Sequence, residues 1–301
     1  MYSMRRFALL TCVTLLSWLL LPFAQKEKAA AGEVPEEIAW LTDYGEARTT
    51  AANEGKMLLI FFCDAAKDGP CEHGNRFEQE TLSDPVVRGK LQEYVCARLP
   101  LDTRIECEDA EIALLDHAAF AEMHGKPGIA ILDFAHKDLK HFGRVVSAFP
   151  LTERLWYTPA QMAAILDLPP GTLTQRTLIY AVRIHPERPA STQGQPDPYL
   201  LEEAESHAQY QAAIRLQGHH RWETRFPRIN ARLQRGLVVS EVCAESWPGD
   251  NLVEAAIECV RCWRCSAGHW NAVRAPQRVF GYDMKCGRNG VWYATGIFGG
   301  N

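Results

Sequence analysis

Apolar runs separated by polar, helix-forming stretches mark the first half of the chain. Residues 57–62 (MLLIFF) form a continuous apolar run, which is typical of a strand buried on both faces of a sheet. Segments 43–56 and 83–95 carry helix-forming residues with suitable residues at their ends. Further strands are predicted at 96–102, 124–134 and 140–149, the last as an edge strand. This alternation predicts an α/β layer with helices on both faces of the sheet.

The second half has longer helices and a terminal hairpin. Apolar residues recur at steps of three and four along 198–216, which predicts a helix. A second helix is predicted within 250–270: Asp250 or Asn251 offers an N-cap, and the helix is expected to stop near Ser266-Ala267-Gly268. Residues 278–299 read as two strands around a turn at Arg288-Asn289-Gly290, so they predict a β-hairpin.

A stretch rich in proline, glycine, serine and threonine separates the two halves. It covers residues 151–195 and is interrupted by one apolar island at 177–185. A chain of 301 residues is long enough for two domains. We therefore predict an α/β domain at 35–150, a linker at 151–171 and an α+β domain at 172–301.

The N-terminus has the order of a secretory signal. Arg5 and Arg6 precede an apolar run at 7–24, and small residues follow. We predict a signal peptide at 1–31 and a secreted, periplasmic or otherwise extracytoplasmic protein; the alternative is an uncleaved anchor, and only then is a membrane a partner. The net charge of −5, with both signs interspersed, gives no electrostatic case for binding nucleic acid.

If the protein is exported, its cysteines are expected to form disulfides, because thiols in an oxidising compartment pair more often than they bind metal. Nine lie beyond the predicted signal, and we treat all nine as disulfide candidates: Cys63, Cys71, Cys96, Cys107, Cys243, Cys259, Cys262, Cys265 and Cys286. The last group includes a C-x-x-C-x-x-C run at 259–265. On a helix, steps of three turn successive side chains by about −60°, so the three thiols diverge. Three interpretations of this run stay open: disulfides to Cys243 and Cys286, a bound metal, or free buried thiols.

Several features of the first domain follow one another in a familiar order: Trp40, a helix ending at Gly55-Lys56, the strand at 57–62, Asp68-Gly69-Pro70-Cys71, SDPVV at 83–87 and Pro127. Over about 35–150 they resemble the thioredoxin-like family. The resemblance implies that Pro127 occupies the family's cis-proline position and that Asp68 replaces the attacking cysteine. Because an aspartate cannot attack a disulfide, we interpret 63–74 as a retired redox loop, closed by a structural Cys63–Cys71 bond.

The second domain carries another set of motifs: ESHAQYQAA, GHHRW, SEVCAESW, CWRCSAGHW and the terminal hairpin. Over about 172–301 these resemble the CAP superfamily of cysteine-rich secretory and pathogenesis-related proteins, in its bacterial form. The resemblance implies an α-β-α sandwich with a cleft lined by histidines and acidic residues. It matches His219 or His220 to the first histidine, Glu241 to a glutamate and His269 to the second histidine. Ser266 stands at the second acidic position.

Two imidazoles and a carboxylate could bind zinc with an open fourth position, which would involve His220, Glu241 and His269. No other cofactor is expected. We predict a non-catalytic binding or scaffold protein whose CAP-like cleft recognises a peptide, a lipid or a cell-envelope component. The alternatives are a thiol-disulfide oxidoreductase or chaperone acting through the first domain, and a metal-dependent hydrolase using the His/Glu cleft.

Overall fold

The structure is a computed structural model that describes residues 37–63, 72–107 and 110–300. The predicted signal peptide at 1–31 lies outside the described residues, as do Asp68 and Cys71 of the predicted redox loop. The described chain is a mixed α/β structure with two large sheets and one small one.

A five-stranded mixed sheet organises the first half. Its strands run in the order β1-β3-β2-β6-β7, in which β1, β3 and β2 are parallel while β6 and β7 are antiparallel to their neighbours. The strands are β1 (Trp40–Leu41), β2 (Leu58–Cys63), β3 (Val95–Pro100), β6 (Gly128–Leu132) and β7 (Val145–Pro150). A separate hairpin comprises β4 (Arg104–Cys107) and β5 (Ala110–Ala113). Every residue of β2 is buried, as its continuous apolar run predicts.

Two of the three helices in the first half match the predicted segments 43–56 and 83–95, the second of them ending at Leu91; the third was not predicted. Helix α1 (Tyr44–Glu54) begins where the Asp43 carboxylate accepts the Glu46 amide, and it ends at Gly55 in the left-handed region, φ 64°. Helix α2 (Glu72–Phe77) continues into a π turn at Glu78–Leu82. Helix α3 (Pro85–Leu91) is capped by Asp84.

The predicted linker contains a helix, α4 (Pro159–Leu166), which a Thr158–Gln161 capping box begins. Its buried residues Met162 and Ile165 belong to the main hydrophobic core. The apolar island that follows forms helix α5 (Leu173–Arg183). Residues 151–171 therefore pack as structured chain. The described residues group into one compact unit, and the domain boundaries at 150 and 172 stay a prediction.

A four-stranded sheet organises the second half, in the order β8-β10-β11-β9. Its strands are β8 (Gln195–Pro196), β9 (Val238–Glu245), β10 (Val279–Cys286) and β11 (Trp292–Gly300). The helices are α6 (Pro198–Ile214), α7 (Trp222–Asn230), α8 (Leu252–Arg264) and α9 (Ala267–Arg274). Strands β10 and β11 form the predicted hairpin. The predicted helix is α8, which Asn251 caps and which ends at Arg264, close to the predicted stop; α9 was not predicted, and it begins after Ser266, which adopts an extended conformation.

Helices cover both faces of this second sheet. On one face, Phe280, Tyr282 and Phe298 join the core that contains Trp263 of α8. On the other face, Ile297 packs with α6. The alternation along each strand therefore decides which side chains enter the core and which face α6.

One core cluster includes side chains from both sheets. The ring of Phe149 on β7 lies 4.8 Å from that of Tyr180 on α5, measured between centroids. Arg176, also on α5, is fully buried; its Nε donates to Ser147 Oγ on β7 at 2.9 Å, and its Nη1 donates to the Leu168 carbonyl at 2.8 Å. Helix α5 is thus held by polar as well as apolar contacts.

The expectation that Pro127 occupies a cis-proline position is corrected. Among the described residues no peptide bond is cis, so Pro127 follows a trans bond. The chain instead turns at Gly125, φ 65°, before Pro127, and the Pro127 carbonyl accepts the Leu151 amide at 2.7 Å.

The eight described cysteines are free thiols rather than disulfide partners: Cys63, Cys96, Cys107, Cys243, Cys259, Cys262, Cys265 and Cys286. Their environments explain the difference. Cys259 faces the core, Cys243 faces α6 and Cys286 is exposed at the end of β10. The predicted Cys63–Cys71 bond involves a residue outside the described ones. No helix in the described ranges is both long and apolar enough to span a bilayer.

Candidate functional site

The candidate site lies on the face of the second sheet that α6 covers. Along β9, Val242 and Ala244 point into the main core, so Glu241 and Cys243 point to the opposite face. Thr295 of β11 is paired directly with Cys243 and shares that face. The strand alternation thus places a carboxylate, a thiol and a hydroxyl beneath α6.

Helix α6 contributes two polar side chains one turn apart on its buried face. His207 Nδ1 lies 3.2 Å from Thr295 Oγ1, and Gln211 Nε2 donates to the same hydroxyl at 2.9 Å. The Gln211 side-chain oxygen accepts the Gly218 amide at 3.0 Å, which fixes the loop just before His219.

Glu241 is the centre of the cluster, and its side chain is 1% exposed. His219 Nδ1 lies 3.0 Å from Oε1, Arg225 Nη1 lies 2.6 Å from Oε2, and His207 Nδ1 lies 3.5 Å from Oε2. Burial by itself raises the pKa of this carboxyl, but the His219 hydrogen bond and the nearby charges outweigh burial, so the pKa is lowered. Glu241 is therefore an ionised, acceptor-only group.

His219 and His269 meet at the edge of the cluster. Their Nε2 atoms lie 3.1 Å apart, and the His219 side chain is 41% exposed. Because ionised Glu241 can only accept, His219 Nδ1 carries the proton and its Nε2 presents a lone pair toward His269. Burial is the main cause that lowers the pKa of His269; the neighbouring His219 disfavours a second proton at this contact, and Glu241 opposes the shift.

His220 lies beside His207 rather than at the contact of Glu241, His219 and His269; its ring centroid is 6.1 Å from that of His207. Its Nε2 contacts the Leu216 carbonyl at 3.0 Å, and its ring packs against Tyr210 at 5.6 Å. Of the two sequence candidates for the first histidine, the structure therefore brings His219 to Glu241 and His269.

Sequence reasoning missed two members of the cluster, His207 and Arg225. His207 falls on the apolar face of α6, 3% exposed, and a polar residue among alanines at those steps was an available signal. Burial lowers its pKa to about 4, with Arg225 adding to the effect and Glu241 opposing it. No sequence signal marked Arg225, because it lies outside the recognised motifs. Only the folded position of α7 brings it to Glu241.

Cys243 belongs to the site rather than to a disulfide. Its Sγ lies 3.8 Å from the Nδ1 atoms of both His207 and His219. Burial raises the pKa of this thiol, and the Glu241 charge raises it further. The thiol is therefore protonated and packs as a small, weakly polar side chain.

Two sets of atoms could receive a metal ion. His207, Glu241 and Cys243 place ligand atoms within 4.8 Å of one another, all of them buried. The Arg225 guanidinium already pairs with Glu241, however, and its charge repels a cation. The second set comprises the facing Nε2 atoms of His219 and His269; no cationic side chain of the described residues pairs with either atom, and His219 is open to solvent.

The predicted redox region has one described thiol, Cys63 at the end of β2. It is 8% exposed, and its Sγ accepts a hydrogen bond from Arg98 Nε at 3.3 Å. Arg98 in turn pairs with Glu78 at 2.8 Å. These contacts hold the thiol in place without a second described sulfur beside it.

No protein-family model matches the chain, and no curated protein matches it. Among solved structures, the chain is similar to a thioredoxin from Thermus thermophilus, with 23% sequence identity and a TM-score of 0.23. The match covers 32% of this chain and 64% of that one, slightly less than two thirds of its length. The similarity is weak and partial.

Proposed function

We propose that this protein is a binding protein and that it binds through the two facing imidazoles of His219 and His269, which take a divalent cation such as zinc. The 3.1 Å separation of their Nε2 atoms carries the proposal. Two nitrogen ligands of one tetrahedral zinc, each about 2.05 Å from the metal, lie about 3.3 Å apart. A movement of a few tenths of an ångström would therefore give ligand spacing.

Glu241 orients the site in this proposal rather than binding the metal. A histidine ligand commonly donates its other ring N–H to a carboxylate, which fixes the tautomer and the ring orientation. His219 Nδ1 makes that contact with Glu241 at 3.0 Å. Arg225 and His207 hold the carboxylate from its other side. The set differs from the sequence expectation in using His219 in place of His220 and in giving Glu241 an orienting role.

Binding is favoured over hydrolysis because of the state of Glu241. A general base must be free to take a proton from a water beside the substrate. This carboxylate is 1% exposed and paired with a guanidinium, so it has neither access nor the basicity that the task requires. Two imidazole ligands would leave coordination positions open. We propose that a carboxylate or phosphate oxygen of a peptide, a lipid or a cell-envelope component fills them.

The finer fold assignments belong to the same proposal. The order β1-β3-β2-β6-β7, with its parallel and antiparallel directions, supports a thioredoxin-like first half. A sheet covered by α6 on one face and by α5 and α8 on the other supports a CAP-like sandwich in the second. We propose that the protein is exported through the signal at 1–31 and that its first half acts as a scaffold, since Asp68 replaces the attacking cysteine.

Zinc titration calorimetry tests the proposal. With the exposed thiols of Cys265 and Cys286 blocked by alkylation, we expect the wild-type chain to bind one zinc ion per chain at this site. His219→Ala and His269→Ala should each lose that ion, whereas the neighbouring substitution His220→Ala should keep it. Zinc binding that survives both of the first two substitutions, or that His220→Ala alone abolishes, refutes the assignment.

A further inference from the structure

A cavity lies where the β6–β7 connection meets α6, and it shares no residue with the histidine–glutamate site. Its volume is about 390 Å³, within the range of small-molecule sites. The β6–β7 connection contributes residues 138–141, the turn before α5 contributes 170–171, and the start of α6 contributes 198–202. Apolar side chains, among them Leu139 and Leu201, form much of its wall.

His141 supplies a fixed hydrogen-bonding group in this wall. It is 7% exposed, and its Nε2 lies 3.1 Å from the Asp133 carboxylate. Burial opposes ionisation of Asp133, but hydrogen bonds from His141, His136 and the backbone outweigh it, and the pKa falls to about 2. The carboxylate is therefore ionised and can only accept hydrogen bonds.

The distance to Asp133, without a hydrogen bond of good geometry, bears on which ring nitrogen of His141 carries the proton. An acceptor-only Asp133 requires the proton on Nε2, so in the neutral imidazole the lone pair is on Nδ1. Within the described chain no hydrogen bond occupies Nδ1. The cavity wall therefore includes an imidazole whose Nδ1 has no hydrogen-bond partner in the described chain, which suits a ligand with an N–H or O–H donor.

The charges around the cavity favour a cation among such donors. Lys140 lines the cavity, but its ammonium pairs with Glu205 at 2.6 Å. Asp138 and Glu202 also line it, both are exposed, and neither forms an ion pair with another described residue. The rim thus has an excess of negative charge above an apolar wall.

We propose that this cavity is a binding site for a small amphipathic amine, whose apolar body lies against Leu139 and Leu201 and whose ammonium group donates to His141 Nδ1 between Asp138 and Glu202. The site is independent of the proposed metal site. The attraction between the ammonium group and the two exposed rim carboxylates should make an amine bind about tenfold tighter than its neutral analogue.

The test uses three probes of equal chain length, n-hexylamine, 1-hexanol and hexanoate, with the full chain. We expect calorimetry and ligand-observed saturation-transfer NMR to detect hexylamine binding about tenfold tighter than hexanol binding, and none for hexanoate. The double variant Asp138→Asn/Glu202→Gln should lose the preference for the amine. Glu93→Gln, an exposed substitution elsewhere, should keep it.

A second variant tests the role of His141 Nδ1. His141→Phe keeps a flat ring but removes Nδ1, and we expect it to weaken hexylamine binding about tenfold while circular dichroism shows an unchanged fold. His219→Ala should bind hexylamine as the wild type does. Absence of hexylamine binding to the wild-type chain, equal binding of amine and alcohol, or undiminished amine binding in the double variant would each overturn the proposal.

Discussion

Replacement of His207 by glutamine should remove a specific acid sensitivity from the fold. His207 is buried beneath α6, and burial lowers its pKa from the ordinary 6.5 to about 4. In the unfolded chain the imidazole binds a proton as the pH falls through 6.5, but in the folded chain it does so only near 4. Between these values the unfolded state binds more protons, so stability falls as the pH is lowered.

The magnitude follows from the two pKa values. At pH 4.5 the unfolded imidazole is almost fully protonated, whereas the buried one is about one quarter protonated. Integrated from pH 7.0 to 4.5, at about 1.4 kcal/mol per pH unit, His207 should cost the wild-type chain about 2 kcal/mol of unfolding free energy. Glu241 adds to the loss only as the pH falls toward and below its ordinary 4.5, because its own pKa is lowered in the fold.

The assay is urea unfolding followed by tryptophan fluorescence at half-unit steps from pH 7.0 to 4.5, without metal. We expect His207→Gln to lose about 2 kcal/mol less than the wild type across this range, since glutamine does not titrate and still offers Thr295 a hydrogen-bonding partner. His124→Gln, at an exposed position in the first half of the chain, is the control and should follow the wild type. Parallel curves for the wild type and His207→Gln would refute the reasoning.

Three further outcomes are expected. Arg225→Met leaves a buried carboxylate without its guanidinium and should lower the unfolding free energy by about 3 kcal/mol in urea at pH 7; an unchanged midpoint would contradict the ion pair. Gly281→Ala places a methyl group onto the α6 backbone and should lower the melting temperature by 10 °C or more, unless α6 does not pack as described. In a thiol-reagent time course on native, unreduced protein, exposed Cys265 and Cys286 should react within minutes and buried Cys259 only on unfolding; failure of the first two to react before reduction would indicate disulfides.

Local patterns predicted α1, α3, α6, α8, the long strands of the first sheet and the terminal hairpin, but not α2, α4, α5, α7, α9 or β9. Strand β2 and helix α1 follow from an apolar run and from an Asp43 cap with a Gly55 stop, signals that lie within the segments themselves. Helix α4 was missed, although Thr158 and Gln161 provide a capping box, because the surrounding prolines and glycines indicated a linker. The capping box is a local helix signal, but the proline- and glycine-rich composition led to the prediction of a linker.

The candidate site was predicted in part, for a different reason. Motif matching identified Glu241 and His269 and left His219 and His220 open; the choice depends on which way one loop turns. His207 depends on Thr295, 88 positions away in sequence, and no pattern within α6 indicates that partner. Side chains that converge from different elements become evident only when the sheet register is known.

The cysteines show the limit of an inference from compartment. Export favours disulfides in general, but a bond needs two sulfurs in reach with suitable geometry. Cys243 lies between His207 and His219 and faces away from the core, whereas Cys259 faces into it. The number of cysteines therefore indicated disulfides. Their positions in the fold instead place the thiols in separate environments.

The most direct test of the proposed function is a crystal of the zinc-loaded chain measured at the zinc absorption edge. The account predicts one anomalous peak between His219 and His269, about 2.0–2.1 Å from each Nε2. Glu241 should remain hydrogen-bonded to His219 Nδ1 behind it. A peak bound directly by Glu241 and Cys243, or no peak at these two histidines when zinc occupies other sites, would contradict it.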